Sequence, residues 1–527
     1  MQKRQLINPV EDTELSPKQR RNSRPLDVHR WSDHTEVNRF LGQLWDVYLD
    51  EEFPNKNEGV GKRPRASGFK QFKVLLLDFY VAWYEDPALM IGIPQSPGAY
   101  KANSRYNKLF ISKKVIEISK SLVRLGLLNR RKGSEQSKQT SRFWPTDKLI
   151  EHFKDAKFSY LDIGVYEHRE VIILNKGKDG EDELDDKKEI QYADEDFPGI
   201  PEMRREVEAY NELLYQAFID VATLDQPWVV RDFYDTRLQA WRQQKVRIGH
   251  PNKFVRRIFY RGDWNLGGRF HGGFWQLIGE EYRKDILIND EATIEQDFSG
   301  LHVNFCYALK ELPPLEEDPY FLEPLLHPDQ KVQRAWTKVL SLMALNASSA
   351  KQAFKAFRHK MMEKAKGKRV KGLNDETEQQ ASQLTDNQLK KLLKAFKEKH
   401  YLIEDMICTD QGVKLMNIDG KITARVIKHF TKKRQPILTV HDSYITPEDQ
   451  TGELRTAMTE AVKAELNGYV IKIDQDGIGS DQIRAFQSME RWNPHHYDLF
   501  KSLKRPKRTE GYRYRYEQYQ KWLEQQD

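Results

Sequence analysis

Two aspartates sit in short segments whose apolar patterns could bring their carboxylates together. TIEQDFSGLH alternates apolar and polar residues up to Asp297, which predicts an aspartate at the end of a β-strand. PILTVHDSYIT has two apolar runs around His-Asp-Ser, which predicts a β-hairpin with Asp442 at its tip. A strand end and a neighbouring hairpin tip can converge. Such a pair suits phosphoryl transfer, because Mg²⁺ prefers carboxylate oxygens and two bound ions stabilise the attacking and leaving oxygens together.

A basic pair lies between the two aspartates in the sequence. The segment QRAWTKVLSLMALNASSAKQAF has helical spacing, and Arg334 and Lys338 are four residues apart, so both are expected on one helix face. Two fixed cations can bind a triphosphate and offset the charge that develops on a leaving pyrophosphate. Each feature alone is also typical of an ordinary surface. Their order along the chain, with the basic pair between the two aspartates, favours a catalytic site over an ordinary surface.

These three segments resemble the motifs of the family A DNA polymerases and of the related single-subunit RNA polymerases of phages and mitochondria. DFSGLH resembles motif A, RAWTKVLSLMALN resembles the motif B helix, and VHDSY resembles motif C, in the same order. Upstream, GDWNLGGRFHGG resembles the Gly-Arg segment that contacts template and primer. The resemblance covers roughly residues 258–490 and implies an α+β fold, a right-hand polymerase palm with helical fingers.

The resemblance also implies a role for each matching residue. Asp297 and Asp442 would hold two Mg²⁺ ions, or Mn²⁺ in their place. Arg334 and Lys338 would bind the nucleotide phosphates, and Lys338 would act as the acid for pyrophosphate departure. His441 and Arg269 would position the primer terminus and the template. The implied partners are a nucleic-acid template with its primer and nucleoside triphosphates.

The chain departs from the family pattern where the family judges the sugar. His302 stands where the DNA enzymes carry a Glu that excludes the 2′-hydroxyl, and Asn346 with Ala347 stands where motif B usually has Tyr-Gly. We expect His302 to fill the gate by its bulk and Asn346 to hydrogen-bond near the sugar, which favours deoxynucleotides. The family's template-contacting Asn and Gln correspond by spacing to Leu415 and Asp419.

A second basic cluster lies nearer the N-terminus. ISKKVIEISKSLVRLGLLNRRKG has apolar residues at helical spacing and then Gly126 in the place of a C-cap, while LLNRRKG and SRFWP predict two short strands. A helix followed by a basic hairpin resembles a winged helix-turn-helix, which binds either nucleic acid or protein. The basic residues that suit phosphate contacts are Lys113, Lys114, Lys120 and Arg124 on the helix and Arg130, Arg131 and Lys132 on the wing.

Length and composition limit the number of domains and the class of protein to which the chain can belong. The 527 residues carry 86 Lys and Arg against 79 Asp and Glu, and the length predicts two or three domains. No apolar run approaches the roughly 20 residues that span a bilayer, and the N-terminus lacks the pattern of a signal peptide, so we expect a cytoplasmic protein without a membrane partner. Cys306 and Cys408 cannot form a four-ligand zinc site.

The expected domain order places the winged-helix-like domain before the palm. From the N-terminus, the expected regions are a flexible segment with one helix in 1–60, the winged-helix-like nucleic-acid-binding domain in 61–160, an acidic linker in 161–200, a helical thumb-like region in 201–262, the palm and fingers in 263–490, and a basic-aromatic tail in 491–527. The tail either contacts nucleic acid or packs on the body.

Three functions fit the sequence. The first is a template-directed DNA polymerase in phage, plasmid or mobile-element replication, where the fused DNA-binding module is a fold-level analogy. The second is a single-subunit RNA polymerase or primase-like enzyme, favoured by the missing Glu at the gate. The third is a non-catalytic DNA-binding replication regulator, against which both aspartates and the Arg-Lys pair speak. Product, template, primer requirement and oligomeric state stay open.

Overall fold

The computed structural model describes residues 22–53, 64–133, 140–177, 189–235, 240–364, 373–487 and 506–526. Expectations that concern residues 1–21, 178–188 and 491–505 lie outside this part of the chain. The described part is a mixed α+β structure. In it, no helix is long and apolar enough to cross a membrane.

The described part of the chain contains α-helices along most of its length. They are α1 Thr35–Tyr48, α2 Pro64–Glu85, α3 Lys114–Arg124, α4 Asp147–Lys154, α5 Ile200–Gln216, α6 Glu280–Arg283, α7 Leu301–Leu309, α8 Gln330–Asn346, α9 Ala350–Lys364, α10 Asp375–Ser382, α11 Asp386–Lys399, α12 Gly412–Lys432, α13 Thr451–Glu465, α14 Ser480–Gln487 and α15 Glu510–Glu524.

The described part also contains β-strands. They are β1 Ser23–Pro25, β2 Arg30–Trp31, β3 Met90–Ile93, β4 Leu128–Arg131, β5 Ser141–Pro145, β6 Gly164–Val165, β7 Ile172–Leu174, β8 Ile219–Val221, β9 Trp228–Asp235, β10 Ala240–Arg247, β11 Val255–Tyr260, β12 Asp263–Gly272, β13 Ile286–Ile288, β14 Glu291–Phe298, β15 Leu438–Val440, β16 Ser443–Pro447 and β17 Ile473–Gln475.

The N-terminal region has a core of its own. Helix α2 is apolar on all sides along Val74–Leu77, and all four side chains are buried. Such a helix belongs inside a core, and it packs among α1, α3 and a sheet of order β1-β3-β5-β4. Strands β4 and β5 form an antiparallel pair after α3. The predicted helix and hairpin are therefore present, with the helix beginning at Lys114.

A central antiparallel sheet brings the two predicted aspartate segments together. Its order is β15-β16-β14-β13-β8, and β17 also pairs with β14. Strand β14 buries alternate side chains, among them Ile294 and Phe298, so one face of the strand turns into the core while the other carries polar groups. Strands β15 and β16 are joined by a two-residue turn and lie antiparallel. The predicted strand end and hairpin tip are both confirmed.

A smaller sheet of order β12-β11-β7 lies under helix α12. The helix approaches the sheet closely at Gly420, where a Cβ atom would lie 2.2 Å from the carbonyl oxygen of Gly268. Asn417 donates hydrogen bonds to the carbonyls of Trp264 and Gly267 at 3.2 Å each. This close approach places Arg269 and Asp419 opposite each other.

Two regions differ from the expectation. Within the described part of residues 201–262, the only α-helix is α5, because 228–235 and 240–247 pair as an antiparallel hairpin. Their Trp, Val, Phe and Tyr side chains favour strand, and this outweighs the helical spacing. The expected linker, 161–200, contains the buried strand β7, which pairs with β11.

The C-terminal helix α15 packs on the body of the protein. Tyr512, Tyr519 and Trp522 are buried in a cluster with Phe218 and Leu287. Of the two expectations for the tail, the packed helix is the one observed over residues 510–524.

Candidate active site

The backbone holds Asp297 and Asp442 at adjacent positions. Asp297, the penultimate residue of β14, pairs with Ser443 of β16, and the amide of Phe298 lies 3.4 Å from the carbonyl oxygen of Asp442. The turn between β15 and β16 consists of His441 and Asp442, and His441 has a left-handed backbone with a φ of 58°. Positive φ suits tight hairpin turns, and histidine is one of the few residues other than glycine that adopt it more often than most.

Asp297 is held in a surrounding that disfavours its negative charge. Burial raises the pKa of Asp297 to about 7, and the nearby Asp442 adds to the rise while Lys338 opposes it. Its Oδ1 atom is buried and accepts no hydrogen bond from the described residues. Desolvation and a like charge are the two ordinary causes of such a shift. A cation between the carboxylates would relieve both.

The residues fit a divalent metal that is held by two carboxylates. Among the described residues, no group of three or more His, Cys, Asp or Glu side chains gathers as a metal site. Mg²⁺, however, is commonly held by one or two carboxylates, with waters and substrate phosphates completing its octahedron. The unbonded Oδ1 of Asp297 is a donor of the right chemistry.

Other carboxylates near the pair are already engaged. Glu295, on the same strand face as Asp297, accepts hydrogen bonds from Arg283 Nε at 3.1 Å and from Ser443 Oγ at 2.5 Å. Asp474 of β17 pairs with Asp297 in register and forms an ion pair with Lys472 at 3.3 Å. This leaves Asp297 and Asp442 as the carboxylates that are best able to take a metal.

The helix α8 brings Lys338 to the carboxylates, whereas Arg334 is already paired. The side chain of Arg334 donates to Asp318 at 2.5 Å, so binding of nucleotide phosphates, which stays a prediction, would compete with this ion pair. Lys338 is exposed, makes no ion pair among the described residues, and acts electrostatically on Asp297. Lys338 is therefore the better placed of the two cations.

Tyr320 is a site residue that the sequence did not reveal. Its buried ring lies 5.9 Å from the guanidinium carbon of Arg334 and 5.9 Å from Nζ of Lys338. Burial raises the pKa of its hydroxyl, and Asp442 is the first of several charges that also act on it. It sits in an irregular segment, so neither helical nor strand periodicity marks it.

The segment that carries Tyr320 is anchored on two sides. Lys399 donates to the carbonyl oxygens of Asp318 and Phe321 at 2.8 Å each. On the other side, Gly300 has a φ of 62°, and a Cβ atom there would lie 2.6 Å from the Pro319 ring. Gly300 thus allows both the turn after Asp297 and the close approach of this segment.

Arg269 lies in an internal network rather than at an open surface. It forms an ion pair with Asp419, and its side chain is 13% exposed against 1% for Asp419. Its Nη2 atom also lies 3.2 Å from Nε2 of His302. The expected direct contact of Arg269 with template is thus limited by these partners. Its role here is to connect β12, α7 and α12.

The charge states in this network follow from burial. Burial raises the pKa of Asp419 to about 7, which Arg269 opposes and Asp442 reinforces. Burial also lowers the pKa of His302 to about 4, and the positive charge of Arg269 acts in the same direction. His302 is therefore neutral at neutral pH, and its contact with Arg269 is that of an imidazole nitrogen accepting a hydrogen bond.

Asn346 lies away from the carboxylates, whereas His441 lies beside them but makes no hydrogen bond to them among the described residues. Asn346 ends α8, donates to the carbonyl of Leu342 at 2.7 Å and abuts Gly412. It lies eight residues beyond Lys338, about 12 Å along the helix axis, and its expected role near the sugar stays a prediction. His441 is exposed, with its ring 6.3 Å from that of His271.

The predicted basic cluster on α3 and its wing is only partly open. Its arginines are engaged or half-buried: Arg124 forms an ion pair with Glu52, the guanidinium of Arg130 lies 5.7 Å from the ring of Phe143, and Arg131 is half-buried on β4. Its lysines are exposed, and they are Lys113, Lys114, Lys120 and Lys132. The lysines are thus better placed for phosphate contacts than the arginines.

Comparisons with known proteins add weak structural likeness. No protein-family model matches the sequence, and no curated protein matches it. Among solved structures, the chain is similar to the POL domain of Pol1 from M. smegmatis in complex with DNA primer-template and dNTP, with 12% identity and a TM-score of 0.24. The match covers 88% of this chain and 81% of that chain. A likeness of this strength decides neither fold nor function.

Proposed function

We propose that this chain is a template-directed nucleotidyltransferase that extends a nucleic-acid primer by phosphoryl transfer. The observation that carries the proposal is the Asp297–Asp442 pair beside Lys338: two adjacent carboxylates, one of them with its pKa raised to about 7 by burial and mutual repulsion, facing an exposed lysine. Strongly shifted groups that gather in one place are typical of functional sites.

Each residue has a task that follows from its position. Asp297 and Asp442 would hold the metal ions, which when bound would supply positive charge beside the attacking and leaving oxygens. Lys338 neutralises the phosphates of the nucleotide and can give a proton to the departing pyrophosphate. Tyr320 supports Lys338 and Arg334 through its ring. The network of Asp419, Arg269 and His302 fixes the floor of the site beside Asp442.

DNA is the proposed product, because His302 occupies the gate position with a bulky side chain that Arg269 holds in place. The N-terminal domain is proposed to bind nucleic acid through the exposed lysines of α3. A fused binding domain suits replication of a phage, plasmid or other mobile element.

The test is a primer-extension assay with purified protein and Mg²⁺. Primed DNA and primed RNA templates are each given dNTPs or NTPs separately, and Asp297→Asn serves as the matched control. We expect extension on primed DNA with dNTPs that the variant lacks. Extension only with NTPs would favour an RNA polymerase, and no extension in any combination would favour a non-catalytic nucleic-acid-binding protein.

A further inference from the structure

A pocket lined by five cations lies apart from the carboxylate pair. It has a volume of about 250 Å³ and lies where β1, β10 and the start of β11 meet. That volume is several times the roughly 30 Å³ that one water molecule takes up in the liquid. The charged residues that line it are all basic: Arg24, Arg169, Lys245, Arg247 and Arg256.

Three of the five cations have carboxylate partners behind the pocket wall. Arg24 donates to both oxygens of Asp78 at 2.7 and 2.6 Å, and Lys245 donates to Asp86 at 2.7 Å. Arg247 is weakly paired, because its Nε lies 3.8 Å from Glu85. These pairs fix the wall of the pocket and neutralise most of its charge.

Arg169 and Arg256 supply the positive charge that has no directly bonded counter-charge among the described residues. Within the described residues, neither side chain makes a hydrogen bond or an ion pair, and both are half-buried. The guanidinium of Arg169 lies 4.3 Å from the ring of Phe254, which fixes its position. Burial lowers the pKa of Arg169 to about 10; Asp27 opposes this, and Arg256 and Arg30 reinforce it. Arg169 therefore remains charged at neutral pH.

One atom of Arg247 is also left without a hydrogen bond within the described part of the chain. The side chain of Arg247 is 9% exposed, yet its buried Nε has no hydrogen-bond partner among the described residues. The carboxylates that act on Arg169 and Arg256 do so without a direct bond: Asp27 pairs with Arg30 at 3.1 Å, and Glu189 is solvent-exposed. Desolvated guanidinium groups without partners are costly, and an anion in the pocket would offset that cost.

The pocket is connected to the carboxylate pair by neighbouring side chains. Arg256 lies directly across from His271 in the β11–β12 pair, so both project from the same half-buried sheet face. The ring of His271 is 6.3 Å from that of His441, which precedes Asp442. A nucleic-acid strand that ends at Asp442 and runs along this face would bring its backbone to the pocket.

We propose that this pocket binds a phosphate group of the nucleic-acid strand that leads to the carboxylate pair. Arginine is suited to this because its planar guanidinium presents paired donors to phosphate oxygens. The identity of the strand rests on the proposed function, whereas the preference for phosphate rests on the pocket alone.

The test is the salt dependence of binding to primed DNA, measured by fluorescence anisotropy without nucleotides. Arg169→Gln/Arg256→Gln should lower the affinity by at least about tenfold and flatten the logarithmic salt slope by about 0.7 to 0.9 for each phosphate that is no longer neutralised. Lys463→Gln is the matched control, because Lys463 is paired with Glu460 on α13 outside the pocket. Arg169→Lys/Arg256→Lys keeps the charge and should keep most of the slope.

A second measurement separates a nucleic-acid phosphate from a free one. If inorganic phosphate alone raises the melting temperature of wild type but not of the double Gln variant, and DNA binding is unchanged, the nucleic-acid source is wrong. A double Gln variant with a native circular dichroism spectrum and an unchanged salt slope would overturn the proposal, even if wild type extends primers. If the salt slope depends on the pocket arginines but the protein extends no primer, the pocket proposal stands and the polymerase proposal is wrong.

Discussion

The carboxylate site and the basic face of α3 have similar secondary structure, but their charged groups differ in solvent exposure. Each combines a helix with an antiparallel hairpin. At the carboxylate site, Asp297 and Asp419 are desolvated, repelled by Asp442 and left with buried oxygens that accept no hydrogen bond from the described residues. On α3, Lys113 and Lys120 are exposed.

This difference separates two kinds of binding to nucleic acid. Carboxylates whose charge is costly before the ligand arrives are prepared for a cation, because the cation removes a penalty that folding has already imposed. Exposed lysines instead gain affinity by releasing counterions, which salt reverses. The two regions should therefore respond differently to substitution, to pH and to salt.

The largest expected effect separates catalysis from binding at the carboxylate site. Asp297→Asn or Asp442→Asn should each abolish primer extension, a drop well above the ~3 kcal/mol that is typical of one removed oxyanion donor. Template binding should stay nearly intact. The matched control is Asp474→Asn, a nearby carboxylate already paired with Lys472. If Asp297→Asn or Asp442→Asn extended primers at a near-normal rate, that aspartate would not be a metal ligand. If Asp474→Asn extended nothing, Asp474 would have to be counted as a further ligand.

A smaller effect concerns the choice of sugar. His302→Ala should raise the incorporation of NTP relative to dNTP by at least about tenfold, a shift of roughly 1.4 kcal/mol, because the space beside the 2′ carbon becomes empty. His302→Gln keeps most of the bulk and should keep most of the discrimination. Competition between the two substrates in one extension assay measures the ratio. If wild type already prefers NTPs, or the ratio does not change, the gate lies elsewhere.

The raised pKa of Asp297 predicts a pH-dependent cost in stability. Its folded pKa, about 7, lies above the ordinary value of 3.8, so the folded state binds a proton more tightly and the free energy of unfolding falls as the pH rises between these values. Asp297→Asn is neutral at every pH. Without metal, the free energy of unfolding of Asp297→Asn should be higher than that of wild type by about 1 kcal/mol near pH 8 and by less near pH 5. This difference is already reduced for solvent screening.

Denaturant titrations at the two pH values measure this difference. Mg²⁺ should stabilise wild type but not the variant near pH 8, since a ligand stabilises only the state that binds it. Equal stability of both proteins at both pH values would show that Asp297 is well solvated, and the contrast with the lysines of α3 would weaken.

The parts of the site that the sequence predicts are those with local signals. Alternation and a hairpin pattern are enough to place Asp297 at a strand end and Asp442 in a turn. Helical spacing places Lys338 on an exposed face but cannot show that Arg334 is paired with Asp318. Such pairings depend on segments that only the fold brings together.

The rest is hidden from the sequence for equally specific reasons. Asp419 and Arg269 are distant in sequence, and their ion pair follows from the close approach of α12 to β12. Tyr320 lies in an irregular segment that carries no periodic pattern. The hairpin β9–β10 is hard to predict because its connection, TRLQ, contains none of the Gly or Asn residues that mark tight turns.

The smallest expected effect tests the solvated side of the comparison. Lys113→Gln/Lys120→Gln removes two exposed cations from the face of α3, and we expect the logarithmic salt slope of DNA binding to fall by about 0.9 per phosphate contact. Extension at low salt and the melting temperature should change little, because exposed lysines contribute little to folding. Arg124→Gln is the matched control on the same helix and should reduce the slope less, since Arg124 is engaged by Glu52. Equal slopes for wild type and the double variant, with the pocket variants still defective, would make α3 a surface for protein contacts and leave the β11–β12 face as the place where the chain holds its nucleic acid.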